Sequence, residues 1–203
     1  MNKFPLRFAA PVALARLRGA RLLEAFSLKL GRSVRYFDRA SFEYWVTIEA
    51  DPGAEVFCER PVRFPTGEGD GIADFWLRSH GGEAILLLGS RDAAVVPSEI
   101  DGIPVRVVAA AEIAAARTWI RNWQRMLPVI VASRGSVAPG LTKSILRFVI
   151  KPIPLAHIER EFSIGDPTLA RATVFELLRV GRLRAPSLRT ESLSSLTLLG
   201  PSQ

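Results

Sequence analysis

Phe57-Cys58-Glu59-Arg60-Pro61-Val62-Arg63-Phe64, then Gly67-Glu68-Gly69-Asp70-Gly71, then Ile72-Ala73-Asp74-Phe75-Trp76-Leu77-Arg78 is the stretch on which the fold turns. Residues 55–64 predict a strand with Val56, Val62 and Phe64 as its apolar members, and Pro61 marks an edge or a bulge because it cannot donate to a ladder. The glycine-rich segment predicts a hairpin tip, and 72–78 the returning strand. Working outward, residues 42–48 predict a helix whose Phe42, Trp45, Val46 and Ile48 face a core while Glu43 and Glu49 stay accessible. Asp51-Pro52-Gly53 stops that helix, since proline disfavours helical backbone just before it. On the other side, His80-Gly81-Gly82 is a tight turn, 83–88 a nearly all-apolar strand buried on both faces, 103–108 a fourth strand and 109–127 a long helix. This pattern predicts a mixed α/β domain over about 1–135.

Beyond residue 140 the pattern becomes helical. Helices are expected over 142–149, 155–162 and about 167–180, the last one capped by Asp166 and Thr168 and ended by Gly181. Short strands at 183–185 and 195–199 follow. Three helices and a hairpin are the plan of a winged helix, in which the third helix enters a DNA groove and the wing touches the backbone. On this plan Arg171 and Arg179 lie on the third helix and Arg182, Arg184 and Arg189 in the wing, making these five the expected DNA contacts.

Composition narrows the classes. The chain has 203 residues, 48% hydrophobic and 23% charged, enough to bury an ordinary core and too rich in apolar residues for a disordered chain. Its one cysteine, Cys58, excludes an internal disulfide framework and predicts a buried thiol. No apolar run approaches the ~20 residues of a membrane span. The basic start of the chain reads as a helix face through Leu14, Leu17, Leu22 and Leu23 rather than as a targeting peptide. The net charge of +7 is uneven: +7 over 1–39, −7 over 40–110 and +7 over 111–203, a distribution suited to gripping phosphates. His80 and His157 have different surroundings and suggest neither a metal pair nor a dyad.

A helix carrying Glu43, then Asp51-Pro52, then a strand ending in 57–64, then Ala73-Asp74-Phe75, together with 103–108 and 119–128, resembles the TnsA-type transposon endonucleases over roughly residues 30–199. The resemblance implies a restriction-endonuclease-like mixed sheet flanked by helices and a C-terminal winged helix. It implies Mg²⁺ held by Glu43 and Asp74, and cleavage of the 5′ ends of transposon DNA beside an integrase-type transposase and an AAA-type ATPase. A cytoplasmic, nucleoid-associated bacterial protein follows from it. The family places an acid and a lysine two residues apart on the strand after Asp74, and counting on reaches Leu88 and Ser90, which supply neither a metal ligand nor an ammonium. Two explanations stand. Glu83, Arg91 or Asp92 completes a displaced site, or the chain keeps the binding shell of the family without efficient cutting. The second is the expectation, with a non-enzymatic winged-helix regulator that uses the nuclease fold as a docking body as its alternative.

Overall fold

Residues 7–15, 19, 21–66, 69–89, 96–163 and 166–202 are described by the computed structural model. Among the described residues the first regular elements are β1 (Leu23–Ser27) and β2 (Arg32–Tyr36), an antiparallel hairpin turned by Gly31 at φ 67°. This corrects the helix face expected through Leu14, Leu22 and Leu23: Leu23 opens a strand, and Leu17 is outside the described residues. The period is two, since Val34 and Tyr36 are buried while Ser33 and Arg35 are exposed. α1 (Arg39–Ala50) begins at Asp38, whose carboxylate accepts both the amide (2.8 Å) and the hydroxyl (2.7 Å) of Ser41. Its Tyr44 ring sits 5.7 Å from that of Phe75.

The two strands expected over 55–64 and 72–78 each break in two. β3 (Ala54–Glu59) stops at Arg60, and β4 (Arg63–Thr66) follows; β5 (Gly69–Ile72) stops at Ala73-Asp74, and β6 (Phe75–Ser79) follows. Among the described residues β4 and β5 pair only with each other, with Arg63 opposite Ile72. β7 (Gly82–Leu88), β8 (Glu99–Ile100) and β9 (Ile103–Val108) complete a five-stranded mixed sheet in the order β3-β6-β7-β9-β8. β6 runs antiparallel to both of its neighbours, β3 and β7, and β7 and β9 run parallel. The parallel pair explains the unbroken apolar run: Ile85, Leu86 and Leu87 are all buried, so both faces of β7 are covered. Trp76, Phe64, Ala73, Ile85, Leu87 and Ile103 form one core cluster. Phe75 meets Phe57, Tyr36 and Tyr44 in another aromatic cluster.

Two compact units result, Met1–Ile48 with Gly53–Ala114, and Glu49–Pro52 with Ala115–Gln203. The second contains α3 (Arg117–Ala132), α4 (Pro139–Phe148), β10 (Ile153–Pro154), α5 (Leu155–Phe162), α6 (Thr168–Arg179), β11 (Leu183–Arg184), a 3-10 turn at Pro186–Arg189 and β12 (Leu198–Pro201). Its small antiparallel sheet has the order β10-β12-β11. The expected helix over 109–127 is α2 (Ala110–Ala115) followed by α3. The boundary expected at 135–140 lies inside the second unit, because buried Asn122 of α3 donates to the carbonyls of Leu188 and Glu191 (both 2.8 Å) and accepts the amide of Leu193 (2.8 Å). Among the described residues no helix is long and apolar enough to cross a membrane.

Candidate functional site

Arg60 is where the first unit departs from regular geometry. It holds φ 50°, a left-handed conformation that costs a non-glycine residue about 1–3 kcal/mol and persists only when its surroundings fix it. The surroundings are on three sides. Its amide donates to the Asp74 carbonyl (2.9 Å), its carbonyl accepts the Val12 amide (2.8 Å), and its guanidinium donates to the Arg35 carbonyl (2.9 Å). The kink ends β3, brings Arg60 beside the break at Ala73-Asp74, and leaves a cavity of about 120 Å³ lined by Leu14, Tyr36, Phe37, Asp38, Ser41, Arg60, Ile72, Ala73 and Asp74. That volume admits a few waters or a small ion and is too small for a nucleotide.

Asp74 is positioned by the register of β6 against β7. Its amide donates to the Leu86 carbonyl (3.0 Å), and its Oδ2 accepts the amide of Leu88 at 2.7 Å. Leu88, the position where an acid is expected from the resemblance, thus lies against Asp74 through its backbone. Ser90, Arg91 and Asp92 are outside the described residues. Glu43 does not line the cavity. Its carboxylate accepts from Arg39 Nε (2.6 Å), one turn earlier on α1. Ser41, which does line it, is two positions away, about 200° around the helix. The carboxylate that shares the cavity with Asp74 is Asp38.

Glu83 is at the other end of β7, opposite Arg78, five residues from Leu88 and hence about 17 Å along the strand. It accepts from Arg78 (2.8 and 3.0 Å) and from Trp76 Nε1 (3.0 Å), so it cannot complete a site at Asp74. Burial raises its pKa, but the hydrogen bonds from Arg78 and Trp76 and the charges of Arg78 and Arg7 outweigh that and hold it below the ordinary 4.5. The donor set does not fit a tightly held Mg²⁺, which needs several oxygens at 2.0–2.1 Å in near-octahedral array. Asp74 gives an oxygen to Leu88, Asp38 gives both to Ser41, Glu43 binds Arg39, and Leu88 offers no ligand. Among the described residues no three His, Cys, Asp or Glu gather in a metal-binding group.

The sequence-predicted DNA contacts divide. Arg179 is held bidentately by Glu176 (both 2.7 Å) and lies 3.8 Å from Glu49, whose side chain is fully buried. Burial lowers its pKa, but the Glu176 hydrogen bonds and the charges of Glu176 and Glu49 raise it overall. Arg171 donates to Glu159 (2.6 Å). α6 itself is covered on most sides, with Ala170, Ala172, Thr173, Val174, Phe175, Leu177 and Leu178 buried. Arg182, Arg184 and Arg189 are exposed, and Arg189 stacks its guanidinium 4.7 Å over the Trp119 ring.

One further ionic feature carries no local sequence signal. Glu59, at 1% exposure, is clamped by both terminal nitrogens of Arg32 (2.6 and 2.7 Å), and this bidentate pair ties β2 to the end of β3 just before the Arg60 kink. Cys58 beside it is buried, as expected, and burial pushes its thiol up to about 11, which removes it as a nucleophile. Compared with the models of known protein families and with curated protein sequences, the chain matches none.

Proposed function

We propose that the chain is a TnsA-like transposition protein that binds transposon-end DNA and has lost efficient cutting. The observation that carries this reading is the 2.7 Å hydrogen bond from the Leu88 amide to the Asp74 carboxylate. A leucine stands where the resemblance calls for a second metal-binding acid, and its backbone occupies an oxygen of the first. Support for a restriction-endonuclease-like first unit comes from the helix–strand order around the mixed sheet and from Asp74 standing at the head of β6 beside the end of β7. Support for a winged helix comes from three helices, α4, α5 and α6, closed by the β10-β12-β11 sheet. Under this reading an integrase-type transposase supplies the chemistry at the ends, and an AAA-type ATPase regulates assembly.

The burial of α6 favours a second reading of how DNA is met, with the first unit as a docking body and exposed arginines outside α6 touching phosphates. The test of the main reading is nicking of labelled transposon-end DNA in Mg²⁺, alone and with transposase, comparing wild type with Asp74→Ala. Neither protein is expected to nick the DNA. Metal-dependent nicking by wild type that vanishes in Asp74→Ala overturns the loss of cutting.

A further inference from the structure

We infer that the exposed face of α3, with Arg189 stacked beside it, is the surface of the second unit that grips the phosphate backbone of duplex DNA. This inference rests on the DNA-binding reading above and names its surface. Arg117, Arg121 and Arg125 recur at every fourth position and are all exposed, so they form one stripe about 12 Å long on a single face of the helix. The opposite face carries Ile120, Trp123, Met126 and Ile130 into the core.

The stripe is costly to the free protein. Like charges four apart on a helix repel by about 0.2–0.5 kcal/mol per pair, and Arg117 occupies the first turn, where the helix dipole disfavours a cation. Several arginines elsewhere meet carboxylates: Arg39 on α1, Arg78 on β6 and both arginines of α6 are paired, while exposed Arg182 and Arg184 are not among them. Among the described residues Arg117, Arg121 and Arg189 meet none. Arg125 gives one N–H to the Leu193 carbonyl (3.0 Å). The Arg189 guanidinium carbon stands 4.7 Å over the Trp119 ring, a cation–π contact that uses none of its N–H donors in a hydrogen bond to a carboxylate.

The platform is also rigid, because the three hydrogen bonds of buried Asn122 pin α3 to the segment that carries Arg189. Duplex DNA carries one phosphate per about 1.7 Å of axis, so a 12 Å stripe faces about seven of them. The second unit holds 13 Lys/Arg against 7 Asp/Glu, the first 14 against 13, so nearly all the net charge lies in the unit that carries the stripe.

The experiment is fluorescence anisotropy of a short labelled duplex with the full chain between about 50 and 200 mM salt, with unfolding temperatures recorded alongside. The combined Arg117→Ala, Arg121→Ala and Arg189→Ala variant is expected to bind more weakly and to lose about 2.7 from the log–log salt slope, at about 0.9 per phosphate contact. Arg117→Lys with Arg121→Lys is expected to retain the slope. An unchanged slope in the triple alanine variant, with the loss appearing in Arg182→Ala and Arg184→Ala instead, overturns the stripe and leaves DNA binding standing. An equal loss in the lysine variant makes the arginines structural and overturns it too. No duplex binding by wild type at any salt overturns the DNA reading itself and assigns the stripe to an acidic protein surface.

Discussion

Asp74 has a structural task that any reading of its chemistry must include. Leu88 is partly buried, so removing the carboxylate leaves its amide without that acceptor, at a cost of about 1–3 kcal/mol. Asp74→Ala is therefore expected to lower the urea midpoint clearly. Asp74→Asn, which keeps a carbonyl oxygen for the amide, is expected to lower it less. Equal losses would show that charge, not the hydrogen bond, matters at this position. Glu83 behaves differently because its pKa is depressed. It contributes stability above pH 4.5, and that contribution is lost as pH falls through its lower folded-state value. Partial exposure limits the contribution to less than about 1 kcal/mol. Thermal unfolding followed from neutral pH down to strong acid is expected to show a shallower acid-side decline for Glu83→Gln than for wild type.

Among the elements, the end of α6 offers the sharpest test. Gly181 holds φ 71°, the Arg182 amide donates to the Leu177 carbonyl (2.8 Å), and a Cβ on Gly181 would stand 2.9 Å from Pro52 Cβ. Gly181→Ala thus meets both left-handed strain and a clash, and a loss of about 2 kcal/mol or more is expected. Gly135→Ala is the control: φ is 82° there, but nothing lies within 4 Å of the added Cβ. The difference between the two urea midpoints measures the Pro52 contact, and no difference would dismiss it. The elements that were legible in the sequence are those whose apolar residues repeat with a clean period. α1, α5, α6 and β9 belong to that group, and β7 was legible instead as an unbroken apolar run. The β1–β2 hairpin was hidden because its outward positions are charged and its inward ones few, so Leu22 and Leu23 passed for a helix face. The splits at Arg60 and at Ala73-Asp74 were hidden because a left-handed arginine is imposed by tertiary hydrogen bonds, not by local preference.

At the scale of the whole molecule, charge counting located the basic ends but not which of their arginines are paired. Arg171 and Arg179 stand on the third helix and both are paired: Glu176 is one turn from Arg179, but Glu159 and Glu49 come from positions that no local pattern connects to them. The pairing of Asp74 with Asp38 in one cavity was equally invisible, since it depends on the Arg60 kink. What the sequence did show was a mixed α/β body followed by helices.

The membership of Glu49–Pro52 in the second unit has a consequence for biosynthesis. These four residues leave the ribosome early, inside the stretch that builds the first unit. Glu49 must then wait for Arg179, and Pro52 for Gly181, until α6 has been translated. The nascent chain therefore leaves these contacts of the second unit unmade through most of its synthesis, and a fragment beginning at residue 115 would lack the four residues that make them.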